Sequence, residues 1–115
     1  MQKKSYGSAR TRFLNRERIE EAILRYAQRI AGEYPEILKI VLFGSFANGV
    51  PTPRSDVDIL VVLKESTLPF HLRMAQFLDP DFPLDMEIFP YTKDELALPF
   101  ARHALKEGKV IFARE

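Results

Sequence analysis

The stretch Val41-Leu42-Phe43-Gly44-Ser45-Phe46-Ala47-Asn48-Gly49-Val50-Pro51-Thr52-Pro53-Arg54-Ser55-Asp56-Val57-Asp58-Ile59-Leu60-Val61-Val62-Leu63 decides how the rest of the chain is read. An apolar run ends abruptly at Gly44-Ser45, a polar loop with two prolines follows, and Asp56 and Asp58 open a second apolar run. Aspartate is depleted in strands, so two of them at the mouth of one call for a reason.

Residues two apart on a strand share a face, with Cα atoms roughly 6.6 Å apart. Two carboxylates about 6 Å apart repel by roughly 2–3 kcal/mol at an effective dielectric of about 20. Stability alone gains nothing from that pair. A divalent cation removes the conflict, either as one Mg²⁺ or as two ions arranged for in-line phosphoryl displacement. Gly44 lets backbone approach a ligand closely and Ser45 adds a hydroxyl. A helical turn starting there offers free amides to an anion. Phosphate cradle and carboxylate pair together describe a nucleoside-triphosphate site.

Gly44-Ser45-x-Ala47-x-Gly49 followed by Ser55-Asp56-x-Asp58 resembles the signature of the DNA polymerase β nucleotidyltransferase superfamily, and most of all its minimal nucleotidyltransferases. The resemblance implies an α/β (α+β) fold: a small mixed sheet of three to four strands, the first two antiparallel, with helices mainly on one face. It also implies transfer of a nucleoside monophosphate, AMP from ATP, with two Mg²⁺ ions. Gly44 and Ser45 would bind the phosphates, and Asp56, Asp58 and a third acid would hold metal and do the catalysis. Two acids fit the third place, Asp85 between Leu84 and Met86, and Glu87 between Met86 and Ile88. Alternation puts both on one face, so spacing does not choose. Relatives carry an apolar-acid-apolar triplet shortly before a Thr-x-x-Glu cap, which favours Glu87 and keeps Asp85 as the alternative. Minimal members commonly pair with a small helical HEPN protein as toxin and antitoxin, the acceptor being a tyrosine of that partner. The alternative reading is a non-catalytic antitoxin that acts by complex formation with the same partner.

Length and composition set the frame. The 115 residues suit one domain with one modest core, read as a basic tail over 1–12 and a nucleotidyltransferase domain over 13–115, with no room for a separate acceptor lobe. Hydrophobic residues make up 46% and charged ones 29%, a globular balance. No apolar run approaches a membrane span. The absence of cysteine removes disulfides and thiolate metal sites and points to the cytoplasm. Net charge is +1, which argues against a polyanion-binding surface; the resemblance implies a nucleoside triphosphate and a small helical protein as partners, in a homo- or hetero-oligomer. Lys3, Lys4, Arg10, Arg12, Arg16 and Arg18 form a basic start that reads as a solvated tail rather than a nucleic-acid contact.

Outward from the motif, Ile19, Ile23, Ala27, Ile30 and Tyr34 repeat at helical spacing over 15–33, with Asn15 as N-cap. Residues 36–43 read as a strand buried on both faces and 45–48 as a short helix. A second strand is expected over 56–63, a helix over 68–79 and a third strand over 84–89. Thr92 and Glu95 form a capping box for a helix interrupted at Pro99 and stopped at Gly108, and 110–112 form a last strand. His71 and His103 lack ligand-spaced partners, and Arg54 reads as solvated. Leu96, Pro99, Phe100 and Leu105 read as sheet packing first and as a docking face second. A P-loop is excluded, since no Gly-Lys-Ser/Thr occurs.

Overall fold

A computed structural model describes residues 16–49 and 56–114. The tail over 1–12, the Asn15 cap and the loop carrying Arg54 and Ser55 lie outside them. The elements are α1 (Arg16–Glu33), β1 (Ile37–Phe43), α2 (Ser45–Asn48), β2 (Val57–Leu63), α3 (Phe70–Phe77), β3 (Met86–Thr92), a 3-10 turn (Lys93–Glu95), α4 (Pro99–Glu107) and β4 (Lys109–Ala113).

Four strands form one mixed sheet in the order β3-β2-β1-β4. β1 runs antiparallel to β2 and β4, while β2 and β3 are parallel and joined through α3. The period-two pattern of β2 sorts its side chains as the sequence predicts: Val57, Ile59, Val61 and Leu63 enter the larger core, Leu60 and Val62 the smaller. β1 does the same with one irregularity. Its ladder slips between Ile37 and Lys39, and that bulge lets Ile37 and Ile40, three apart, share the larger core.

The larger core lies under α1 and α3, where Ile19, Ile23, Ala27, Ile30 and Phe77 meet the sheet. The smaller core, on the opposite face, is roofed by α4 through Ala104 and Leu105. That roof sits tightly. A Cβ on Gly108 would strike the backbone oxygens of Ala104 and Leu42 and the side chain of Val41, so only glycine lets α4 end against β1. Asn48 donates a 2.6 Å hydrogen bond to the Glu107 carbonyl and fastens α2 to the same place.

Several boundaries differ from the sequence expectation. α3 is shorter, Phe70–Phe77, because Pro69 is its N-cap and Leu78 is already extended; Leu68 and Leu78 are exposed. β3 starts at Met86 and runs through Pro90 to Thr92. A proline is tolerated there because an edge strand has no second neighbour to need its N–H. The Thr92–Glu95 capping box forms, yet it caps a single 3-10 turn, and Pro99 begins α4 instead of interrupting a helix.

Arg73 closes the β3 edge. It is 7% exposed, and its guanidinium donates to the carbonyls of Leu68 (2.8 Å) and Pro90 (2.9 Å) and to the Glu95 carboxylate (2.8 Å). Arg114 plays a similar part at the far side, donating to the carbonyls of Ala31, Pro35 and Ile37 at 2.8 Å.

Candidate active site

β1 ends at Phe43, and Gly44 turns the chain with φ 79° and ψ −156°, a conformation that side chains other than hydrogen rarely adopt. Four helical residues follow, with the Ala47 and Asn48 amides bonding back to the Gly44 carbonyl at 3.0 and 3.1 Å. The amides ahead of them, at Ser45 and Phe46, are the ones that a helix start leaves without an intrahelical acceptor.

Asp58 stands opposite Phe43 in the β1–β2 ladder and opposite Glu87 in the β2–β3 ladder. Phe43, Asp58 and Glu87 therefore form one row across the rim of three strands. Asp56 precedes β2 by one residue and shares the face of Asp58 by alternation. The Asp58 carboxyl leans over Gly44, where any Cβ would collide with its Oδ2. Gly44 and Asp58 are thus fitted to each other.

The Asp58 carboxyl is half-buried, and its pKa is pushed up from 3.8 to about 6. Loss of solvent is the first cause; the charge of Glu87, a hydrogen bond shared with Glu87 and the charge of Asp56 follow. Glu87 and Asp56 are therefore the acids that Asp58 feels. Asp85 is exposed and stands just before β3, its backbone carbonyl starting the parallel ladder by accepting from the Val57 amide at 2.9 Å. The structure brings Asp56, Asp58 and Glu87 together and leaves Asp85 beyond that row.

Among the described residues no three His, Cys, Asp or Glu side chains are gathered as a ready metal cage. The donor chemistry nevertheless fits Mg²⁺, which takes one or two carboxylates, substrate phosphates and water rather than an all-protein cage. Oxygen donors that repel one another on one face, beside a turn with free amides, meet that requirement. His71 and His103, on α3 and α4, are exposed.

Of the surface next to the acids, the sequence reading named Phe100 but not its neighbours, and Leu96 and Leu105 pack on the smaller core as its first alternative had it. Phe43 and Phe89 share the face of Asp58 and Glu87, and Phe100 from α4 packs on both, with ring centroids at 5.6 and 4.7 Å. Alternation from Glu87 was signal enough for Phe89, while the rings on which Phe100 packs are set by a long-range contact.

The chain matches the family model described as Polymerase beta, Nucleotidyltransferase over residues 26–115. It is 30% identical over 91 residues to a candidate protein adenylyltransferase of Methanocaldococcus jannaschii, MJ1379, covering 76% of this chain and 89% of that one. A second such protein of the same organism, MJ0604, is 46% identical over 44 residues, 37% of this chain and 44% of its own length. A crystal structure of a candidate nucleotidyltransferase from Sulfolobus solfataricus superposes with a TM-score of 0.66 at 21% identity, over 93% of this chain and 88% of that chain, and shares the fold.

Proposed function

The chain belongs to the Polymerase beta nucleotidyltransferase family, and from that premise we propose that it transfers AMP from ATP to a hydroxyl on another protein. The observation that carries the reading is the row at the rim, with Asp58 held between the Gly44 turn and Glu87. The naming of two relatives as protein adenylyltransferases supports AMP as the group moved and protein as the acceptor.

In this reading the phosphates rest on the Gly44-Ser45 turn. Asp56, Asp58 and Glu87 would hold two Mg²⁺ ions, which when bound supply Lewis-acid stabilisation of phosphoryl charge. The acceptor oxygen forms a bond to the α-phosphorus while the bond from that phosphorus to the pyrophosphate oxygen breaks. Glu87, with Asp85 as the alternative, takes the hydroxyl proton. The acceptor we assign is a tyrosine of a small helical HEPN-type protein, the two acting as toxin and antitoxin. Cytoplasm, where ATP and Mg²⁺ are supplied, suits the reaction; no helix among the described residues is long and apolar enough to cross a membrane.

The test is incubation of the purified protein with α-labelled ATP, Mg²⁺ and the product of the neighbouring gene. Label should pass to the partner, be lost with Asp56→Ala and with Glu87→Gln, and largely survive Asp85→Asn. Loss with Asp85→Asn alone would transfer the third role to Asp85. A tight complex that never becomes labelled would replace the enzyme by an antitoxin acting through binding.

A further inference from the structure

The turn assigned to the phosphates is too short to hold its own shape. α2 has only four residues, Ser45–Asn48, and its N-cap makes no side-chain hydrogen bond. A single helical turn fixes several dihedral angles for very few hydrogen bonds, so alone it is mostly unfolded. Its backbone bonds are internal: the Ala47 and Asn48 amides return to the Gly44 carbonyl, and the Gly49 amide to the Ser45 carbonyl at 3.0 Å. Phe46, 7% exposed, packs into the larger core with Ala47 beside it. The Asn48 side-chain amide reaches elsewhere, donating to the Glu107 carbonyl at 2.6 Å across 59 positions of sequence. Among the described residues no other hydrogen bond leaves 44–49 for a different element.

The accepting end of that bond is fixed in place. Glu107 is the last residue of α4, and its carbonyl is among those that a helix end leaves without an amide donor. Gly108 follows directly, where the Ala104 and Leu42 oxygens and the Val41 side chain leave no room even for a Cβ. That fit locks the end of α4 to β1 just ahead of the Gly44 turn. α4 therefore stands as a post beside the turn. We propose that Asn48 is a positioning residue: by tying α2 to the end of α4, it holds the Gly44–Asn48 turn in the shape that receives the phosphates of a nucleoside triphosphate, without touching the nucleotide itself. This rests on the nucleotidyl-transfer reading above. One such hydrogen bond is small against a whole fold but large against a single turn. Without it the turn opens part of the time, and apparent affinity falls with the fraction that stays closed.

Calorimetric titration of the full-length protein with α,β-methylene-ATP and Mg²⁺, paired with hydrogen–deuterium exchange of the nucleotide-free protein, tests this. Asn48→Ala and Asn48→Leu both remove the donor, the second at similar volume. Each should raise the Kd of the analogue by about three- to tenfold, the scale of one hydrogen bond. Each should also speed amide exchange at Ala47–Gly49 before any nucleotide is present. Asn48→Gln keeps the side-chain amide on a longer stem and should restore part of both. Exchange in β1 and β2 should match wild type in all three variants, which separates a loosened turn from a loosened fold. Unchanged affinity in Asn48→Ala and Asn48→Leu overturns the proposal. So does weaker binding with unaltered exchange at 47–49, which would make Asn48 a direct contact of the nucleotide. If the wild type itself never binds the analogue, the transfer reading falls and the positioning role falls with it.

Discussion

At the start of β2 the Asp58 carboxyl takes its field from Glu87 and Asp56, and the sign of that coupling makes a pH prediction. Its folded pKa, about 6, lies above the ordinary 3.8, so between those values the folded state binds the proton that the unfolded state releases. The penalty is absent at the acid end of this window and complete above about pH 6, so stability falls as pH rises through it. Asp58→Asn should raise the melting temperature at pH 8 and leave it nearly unchanged at about pH 3, below the unfolded value. Added Mg²⁺ should stabilise the wild type at pH 8, where the carboxylates are charged, and not at pH 5. Thermal melts across pH decide it; equal Mg²⁺ shifts for Asp58→Asn and wild type at pH 8 would remove Asp58 from the cation's ligands. Gly44 carries a second prediction. Gly44→Ala both strains the backbone at φ 79° and drives a methyl into the Asp58 carboxyl. It should cost about 1–3 kcal/mol of stability, with a larger loss of Mg-ATP affinity, read by urea unfolding and calorimetry.

The elements rest on a less visible residue. Arg73 satisfies carbonyls on two segments and one carboxylate, and holds the 3-10 turn against β3 through Glu95, which also accepts from the Thr92 amide at 2.9 Å. The guanidinium holds the Glu95 carboxyl below its usual 4.5, so this stabilisation is present above the unfolded pKa and is lost as pH falls through the lowered one. Arg73→Met leaves two carbonyls and a carboxylate without their donor and should cost about 3 kcal/mol, whereas Glu95→Gln, which keeps an oxygen for the Thr92 amide, should cost less. Urea unfolding of the two variants checks the order. None of this was legible in the sequence, where an arginine in a short amphipathic helix reads as solvated. What was legible is what periodicity and local chemistry control: the two faces of β2, the Gly44-Ser45 turn, the capping box. Pro90 and Pro99 misled because a proline's effect depends on whether its position needs an N–H, and that is set by the sheet edge and by the helix start. Glu87 and Asp85 were inseparable by alternation, and only the parallel register, which sets Glu87 against Asp58, distinguishes their places.

For the molecule as a whole, the two faces of the sheet are unequally covered. Among the described residues, α1 and α3 seal the larger core, while α4 is the helix that crosses the other face, its first turn exposed at Leu98 and Phe100. A small free acceptor meeting that open turn would gain few contacts and must still lose translational and rotational freedom at each encounter. A polypeptide whose own surface covers Leu98 and Phe100 meets that cost through the rest of its interface, and attack by its hydroxyl becomes effectively intramolecular. Transfer of labelled AMP to a tyrosine on a docked protein should therefore exceed transfer to N-acetyltyrosinamide by roughly 10²-fold or more in kcat/KM. Leu98→Asp should erase most of that advantage, because it places a charge in the apolar margin, while leaving the slow reaction with the free amide in place. Steady-state rates for both acceptors with both proteins make the comparison. Equal kcat/KM values for protein and free amide would mean that the open face has no docking role, and that chemistry at the rim alone chooses the acceptor.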